Sequence, residues 1–308
     1  MQASPMTTSS PRLTARDFDQ DLLVLFDAYV HGDIDRRGFL AGARKFAKAG
    51  MTAAGLLAAL SPDFAAGQQV KPDDSRLKID RVSYPSTGGS GTMKGYLVRP
   101  ADAGTRKLPT VLVIHENRGL NPHIEDIARR LALDGFMAFA PDALTPLGGY
   151  PGDEDSARAA FAKLDQAKTR EDFLAAVTWL KTRPDTTGKI GVVGFCWGGG
   201  MVHQLTVRIP DLAAGVPFYG NTPDPAEAAK VKTPLLVQRA ETDERINAAW
   251  PAYEAALQAA NVPFTAYMYP GTQHGFNNDT TPRYDEPAAK LAWSRTVAFL
   301  KEKLGGPA

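Results

Sequence analysis

Only one cysteine, Cys196, occurs in the 308 residues, so the chain can form neither an intrachain disulfide nor a metal site built on paired cysteines. An excess of one charge is missing too. Lysine and arginine number 35 against 34 aspartate and glutamate, a formal net charge of +1, which offers no basic field for nucleic acid. There is no internal repeat and no low-complexity segment. The one weakly apolar run, near residues 46–60, is too short and too glycine-rich for a stable transmembrane helix. A hydrophobic fraction of 44% is nevertheless ample for a sizeable core. This length suits one large α/β domain with an appendage, or two small domains. A lone cysteine fits a reducing cytosol and a periplasmic enzyme that avoids stray disulfides equally well.

That cysteine sits in a telling place. Ile190 to Val193 read as a short buried strand, and Gly194-Phe195-Cys196-Trp197-Gly198 comes next as a G-x-S-x-G nucleophile elbow with cysteine for serine. The elbow is a tight strand-to-helix turn, and small residues two before and two after the nucleophile let strand and helix approach closely. A lone cysteine is most often a buried structural residue; the elbow pattern makes a nucleophile the better reading here.

The first 75 residues form an arm distinct from the rest of the chain. Residues 1–13 are rich in Ser, Thr and Pro and read as disordered. Leu22, Leu23, Leu25, Phe26 and Tyr29 then predict an amphipathic helix capped by Thr14 or Asp17. Asp35-Arg36-Arg37-Gly38-Phe39-Leu40 ahead of an apolar run resembles a twin-arginine export signal, with Ala65-Ala66-Gly67 as a cleavage site. Arg44, Lys45 and Lys48 intrude where an apolar core should begin. The competing expectation is a pair of helices packed on the catalytic domain or across a homodimer interface. Export would involve the Tat machinery and a periplasmic location; an arm retained as structure fits the cytoplasm. Residues 67–77 read as a linker.

From residue 76 to 308 the chain predicts a catalytic domain. Stretches 77–84 and 93–98 form a hairpin, and strands are expected at 110–115, 136–140, 190–193, 213–218, 234–239 and 264–269. Helices are expected at 124–134, 154–166, 170–183, 198–208, 225–230, 246–260 and 287–304. This alternation predicts an α/β-hydrolase fold, a mostly parallel sheet with helices on both faces. Functional groups should then gather at the carboxyl ends of strands. Cys196, Asp243 and His274 all lie just after predicted strands, in the order nucleophile, acid, histidine. An imidazole can take the thiol proton, and a carboxylate can orient that imidazole. Glu241 and Glu244 compete with Asp243 for the acid role. Of the other histidines, His31 lies in the arm and His203 on the elbow helix. The loop after strand 110–115 should supply one oxyanion donor and the residue after the nucleophile another, which assigns Asn117 and Trp197. Glu116, beside them, would repel an oxyanion but could accept or hold a thiol proton; a salt bridge with Arg118 is its bland alternative.

Glu116, the Gly-Phe-Cys-Trp-Gly-Gly elbow, Pro217-Phe218-Tyr219-Gly220, Asp243 and His274-Gly275-Phe276 together resemble the dienelactone hydrolase (carboxymethylenebutenolidase) family over residues 76–305. The resemblance implies a Cys196–His274–Asp243 triad, Glu116 controlling the thiol, and hydrolysis of an enol-lactone such as dienelactone without metal or cofactor. Tyr219, Arg118 and Phe276 are the expected substrate contacts. The arm resembles a leader found on a subgroup of the family. Two departures bear on substrate. Family members that act on dienelactone hold its carboxylate with two arginines, but here residues 143–153 contain none and the second position is Asn278. Arg118, Arg245 and Arg283 are the candidates to compensate. The expectation is therefore a cysteine hydrolase of a small ester or lactone. A broad carboxylesterase or thioesterase on the same residues is its nearest rival, and a non-catalytic binding or assembly protein on the same scaffold is the other.

Overall fold

The computed structural model describes residues 12–47 and 51–305. The expected disorder at residues 1–13 falls almost wholly outside them. Among the described residues the arm folds into four α-helices, α1 (Gln20–His31), α2 (Arg36–Ala43), α3 (Ala53–Leu60) and the short α4 (Phe64–Gly67). The cap of α1 differs from expectation. Thr14 begins only a three-residue 3₁₀ turn, the extended backbone of Phe18 breaks it, and the Asp19 side chain caps α1 by accepting from Asp21 N–H. Gly32, in the left-handed region at φ 88°, ends the helix. The twin arginines open α2, whose cap is the Asp35 carboxylate bonded to Gly38 N–H. Leu22, Leu23, Phe26 and Tyr29 of α1 meet Phe39 and Ala43 of α2 and Leu56, Leu57 and Leu60 of α3 in one apolar cluster.

The arm packs on the rest of the chain through polar contacts. Arg36 donates to the Asp155 carboxylate at 2.7 Å, and the Tyr29 hydroxyl bonds the same carboxylate. Arg158 donates to the Tyr29 carbonyl at 2.8 Å and lays its guanidinium over the Tyr29 ring at 3.9 Å.

The remainder is an eight-stranded sheet of order β1-β2-β4-β3-β5-β6-β7-β8. β1 (Leu77–Ser86) and β2 (Gly91–Pro100) form the antiparallel edge, and β2 meets β4 (Met137–Pro141) antiparallel. β3 (Leu108–Ile114), β4, β5 (Thr186–Phe195), β6 (Ala214–Phe218), β7 (Leu235–Thr242) and β8 (Phe264–Gln273) run parallel. β3 is buried along its whole length, as the apolar run Val111 to Ile114 demands. Its side chains alternate between two cores. Val111 and Val113 face the layer of α5 (Pro122–Leu133), while Leu112 and Ile114 face the layer of α6 (Glu154–Phe161), α7 (Gln166–Thr182) and α8 (Trp197–Arg208). The helix expected at 246–260 is broken into α9 (Glu244–Asn247) and α10 (Trp250–Ala259), because Pro251 lacks an N–H and suits a first turn. α11 (Glu286–Leu304) closes the fold on the α5 side.

The β5–α8 junction permits no extra atoms. A methyl group at Gly198 would lie 2.4 Å from the Ile114 carbonyl oxygen, and one at Gly194 would lie 2.2 Å from that of Gly198. Gly200, further along α8, meets nothing nearer than 3.4 Å. Gly198→Ala should therefore lose about 1–3 kcal/mol or more in urea unfolding, since backbone cannot step aside. Gly200→Ala should be neutral or gain up to about 1 kcal/mol from helix propensity. Equal effects at the two positions would contradict this packing.

Candidate active site

Cys196 is the hinge between β5 and α8 and takes a left-handed backbone, φ 55° and ψ −116°. Its N–H donates to the Phe218 carbonyl at 3.1 Å, and its carbonyl accepts from Gly200 at 3.1 Å. Two hydrogen bonds thus hold a conformation that a non-glycine residue adopts at a cost. The sulfur stands at the amino end of α8, where the helix dipole favours a thiolate. Trp197 is the first residue of that helix, so its N–H is one of those a helix leaves without an internal partner.

Asp243 and His274 arrive from the ends of β7 and β8. The Asp243 carboxylate lies 2.6 Å from His274 Nδ1, and both residues are buried. Glu241 instead accepts from Gly271 N–H at 2.8 Å, and Glu244 is exposed on α9. With Nδ1 on the carboxylate, Nε2 is the nitrogen His274 turns to the site, within 4.8 Å of Cys196 Sγ. Burial pushes the Cys196 thiol up, but the positive charges of His274 and His31 outweigh it and bring the pKa down to about 6. His274 moves the other way. Burial disfavours its charged form, yet the neighbouring sulfur and Asp243 raise it to about 10. The pair is thereby poised as thiolate and imidazolium.

The unexpected member is His31. It ends α1, and its Nε2 lies 3.5 Å from Cys196 Sγ. Its ring meets His274 edge to face, with centroids 4.9 Å apart. Nδ1 is 3.2 Å from the Asp27 carboxylate and 2.8 Å from the Asp27 carbonyl. Nothing in the order of motifs pointed to it. The one local signal was Asp27 and His31 one helical turn apart beside the predicted apolar stripe. His31, Cys196 and His274 place three donor atoms within 4.8 Å of one another.

The other expected site residues surround this centre without touching the sulfur in the ways foreseen. The Glu116 carboxylate accepts from the Asn278 amide at 3.0 Å, and the group on the thiol is His31. The Asn117 amide and the Arg118 guanidinium both donate to the Val30 carbonyl of the arm, at 2.9 and 3.0 Å. Tyr219 is buried at φ 36° with its ring 5.0 Å from that of His274. Phe276 is wholly buried between Tyr219 and Tyr269, packing behind the site as part of the core. Beside the site, a cavity of about 350 Å³ lies between the arm and the strand-end loops, lined on one side by Phe26, Tyr29 and Arg36 and on the other by Glu116, Arg118 and Asn278, while Cys196, His31 and His274 do not line it. That size suits a small molecule.

Residues 93–304 match the profile of the dienelactone hydrolase family. The chain belongs to that family. Residues 10–48 separately match a profile described as YqhI-like. A Saccharolobus solfataricus relative bearing a provisional carboxymethylenebutenolidase name is 32% identical over 256 residues, covering 71% of this chain and 97% of its own. A hydrolase fragment, YghX of Escherichia coli strain K12, also provisionally named, is 47% identical over 115 residues, covering 37% of this chain and 97% of its own. A crystal structure provisionally named dienelactone hydrolase, from Klebsiella pneumoniae subsp. pneumoniae MGH 78578, superposes with TM-score 0.65 at 28% identity, covering 73% of this chain and 99% of the other. This dienelactone hydrolase family member is accordingly a carboxylic ester hydrolase on an α/β-hydrolase fold.

In this family member, alkylation of Cys196 by iodoacetamide should rise with pH about a midpoint near 6, well below an ordinary thiol. Asp243→Asn removes the charge that favours the His274 imidazolium. The midpoint should then move upward by roughly one pH unit or more. A midpoint above about 8 in the wild type, the ordinary thiol range, would show that the thiolate is not held.

Proposed function

We propose that the chain hydrolyses a small ester or lactone through a cysteine nucleophile and a thioester acyl-enzyme. The observation that carries this reading is the buried Asp243–His274 pair, 2.6 Å apart, beside the sole cysteine on a strained strand-to-helix turn. The Cys196 thiolate attacks the acyl carbon, and N–H groups of Trp197 and Asn117 receive the developing oxyanion, each such donor contributing about 2.7–4 kcal/mol to the barrier in comparable sites. The acyl–oxygen bond breaks as a neighbouring imidazolium protonates the departing oxygen. His274, neutral once the sulfur charge is gone, then takes a proton from the water that attacks the thioester, and the sulfur departs as thiolate. Residues 76–308 form the catalytic domain in this proposal, and residues 1–75 the arm that completes it.

The acyl group we favour is uncharged. Asn278 replaces a carboxylate-binding arginine and is engaged by Glu116. The three arginines that could compensate already serve the arm, Arg118 at the Val30 carbonyl, Arg245 at His31 and Arg283 at Asp27. The carboxymethylenebutenolidase name of the relatives suggests an enol-lactone, and the engaged arginines favour a neutral lactone or aryl ester over a carboxylated one. The arm's own apolar cluster and its Arg36–Asp155 ion pair favour its retention as structure over cleavage after Tat export or use as a homodimer seam.

Cys196→Ala should lower ester hydrolysis by on the order of 10⁴-fold or more. A panel of dienelactones and neutral aryl esters, read as kcat/KM, should favour the neutral esters. Wild-type activity in Cys196→Ala would end the cysteine mechanism, and a clear preference for the carboxylated lactone would end the uncharged-substrate reading. A binding protein on the same scaffold predicts no acylation of Cys196 at all.

A further inference from the structure

We propose that His31 is a second catalytic imidazole, which takes the thiol proton of Cys196 and hands it to the leaving oxygen of the ester, with Asp27 as its positioning residue. This rests on the cysteine-hydrolase reading above. The sulfur lies between two acid–histidine pairs, Asp243–His274 from the sheet and Asp27–His31 from the arm. His31 Nε2 makes a hydrogen-bond contact with Sγ at 3.5 Å, and the donor atoms of His31, Cys196 and His274 all lie within 4.8 Å of one another. Asp27 is itself fixed by Arg283 at 3.1 Å. With Nδ1 turned to Asp27, Nε2 is the nitrogen offered to the sulfur, which is the tautomer a base requires.

Arg245 supplies the opposing force. Its Nη2 lies 2.9 Å from the same Nε2 and can donate to it once the ring is neutral. Burial disfavours the charged ring, but while the sulfur is ionised its charge and Asp27 outweigh burial and hold the ring charged, its pKa raised to about 9. A base held between these influences can both accept and release. The proton balance then closes. His31 Nε2 holds the proton given up by Sγ, the thiolate forms a bond to the acyl carbon, and the C–O bond breaks as His31 protonates the departing oxygen. With the sulfur acylated, the charge that favoured the His274 imidazolium is gone and His274 releases its proton to solvent. Water attacks the thioester while the neutral His274 takes its proton, and sulfur leaves as thiolate. The product acid gives up a proton, His31 regains one, and the resting ion pairs are restored. Splitting the two half-reactions between two rings spares His274 from serving both the leaving group and the water.

Stopped-flow hydrolysis of phenyl acetate and p-nitrophenyl acetate by the full chain, with mass spectrometry of acetyl-Cys196, separates the half-reactions. His31→Gln should slow acylation by phenyl acetate about 10²-fold. It should slow acylation by p-nitrophenyl acetate less, because that leaving group departs without a proton, and leave deacetylation within about twofold of wild type. Asp27→Asn, which keeps the ring in place, should show the same leaving-group pattern more weakly. Unchanged or faster acylation in His31→Gln would overturn the proposal and make His31 a plug. A uniform slowing of acylation and deacetylation would overturn it in favour of a structural role. If the wild type forms no acetyl-Cys196, the cysteine reading itself fails; if the adduct forms and His31→Gln matches it, only this inference does.

Discussion

The site depends on one backbone constraint, the left-handed turn at Cys196. A non-glycine residue there costs on the order of 1–3 kcal/mol. The fold sustains it by pinning both peptide groups of Cys196, to Phe218 on one side and Gly200 on the other. It also brings β3, β5 and α8 so close that glycine alone fits at 194 and 198. The strain lifts the sulfur clear of the sheet and sets it at the amino end of a helix. The electrostatics of the thiol, the position of the Trp197 N–H and the approach of the two histidines all depend on that placement.

Around the sulfur the electrostatics are layered. Burial by itself would keep the thiol protonated and both rings neutral. The charge of the sulfur, helped by two carboxylates that each hold the far nitrogen of a ring, reverses that for the rings, and the charged rings reverse it for the thiol. Because one pair comes from the sheet and the other from the arm, the arm is bound by more than apolar contact. Its helix end is fastened by Asn117 and Arg118, the very loop expected to help bind the oxyanion. Access to the thiol and the position of α1 are therefore coupled.

Much of this was legible in the residues. The apolar run of β3, the elbow and the chain order of Cys196, Asp243 and His274 are local patterns whose meaning a parallel sheet makes unambiguous. The choice among Glu241, Asp243 and Glu244 was not legible. All three lie within four residues, and only the direction in which β7 releases the chain turns one of them to His274. The single helix expected at 246–260 failed for a local reason, Pro251, and could have been read correctly. Glu116 illustrates a subtler limit. Its neighbourhood at the oxyanion loop was foreseen, but its partner is Asn278, 162 residues away.

His31 marks the boundary most clearly. Sequence alone determined that a cysteine would sit on an elbow with a histidine and an acid at later strand ends, because those relations are set by chain order within one sheet. Only the tertiary structure decided that a second histidine reaches the same sulfur from 165 residues away. Its arrival depends on how α1 lies across the strand ends. That docking is set by ion pairs and carbonyl contacts between segments with no shared periodicity, and no pattern within either segment encodes it.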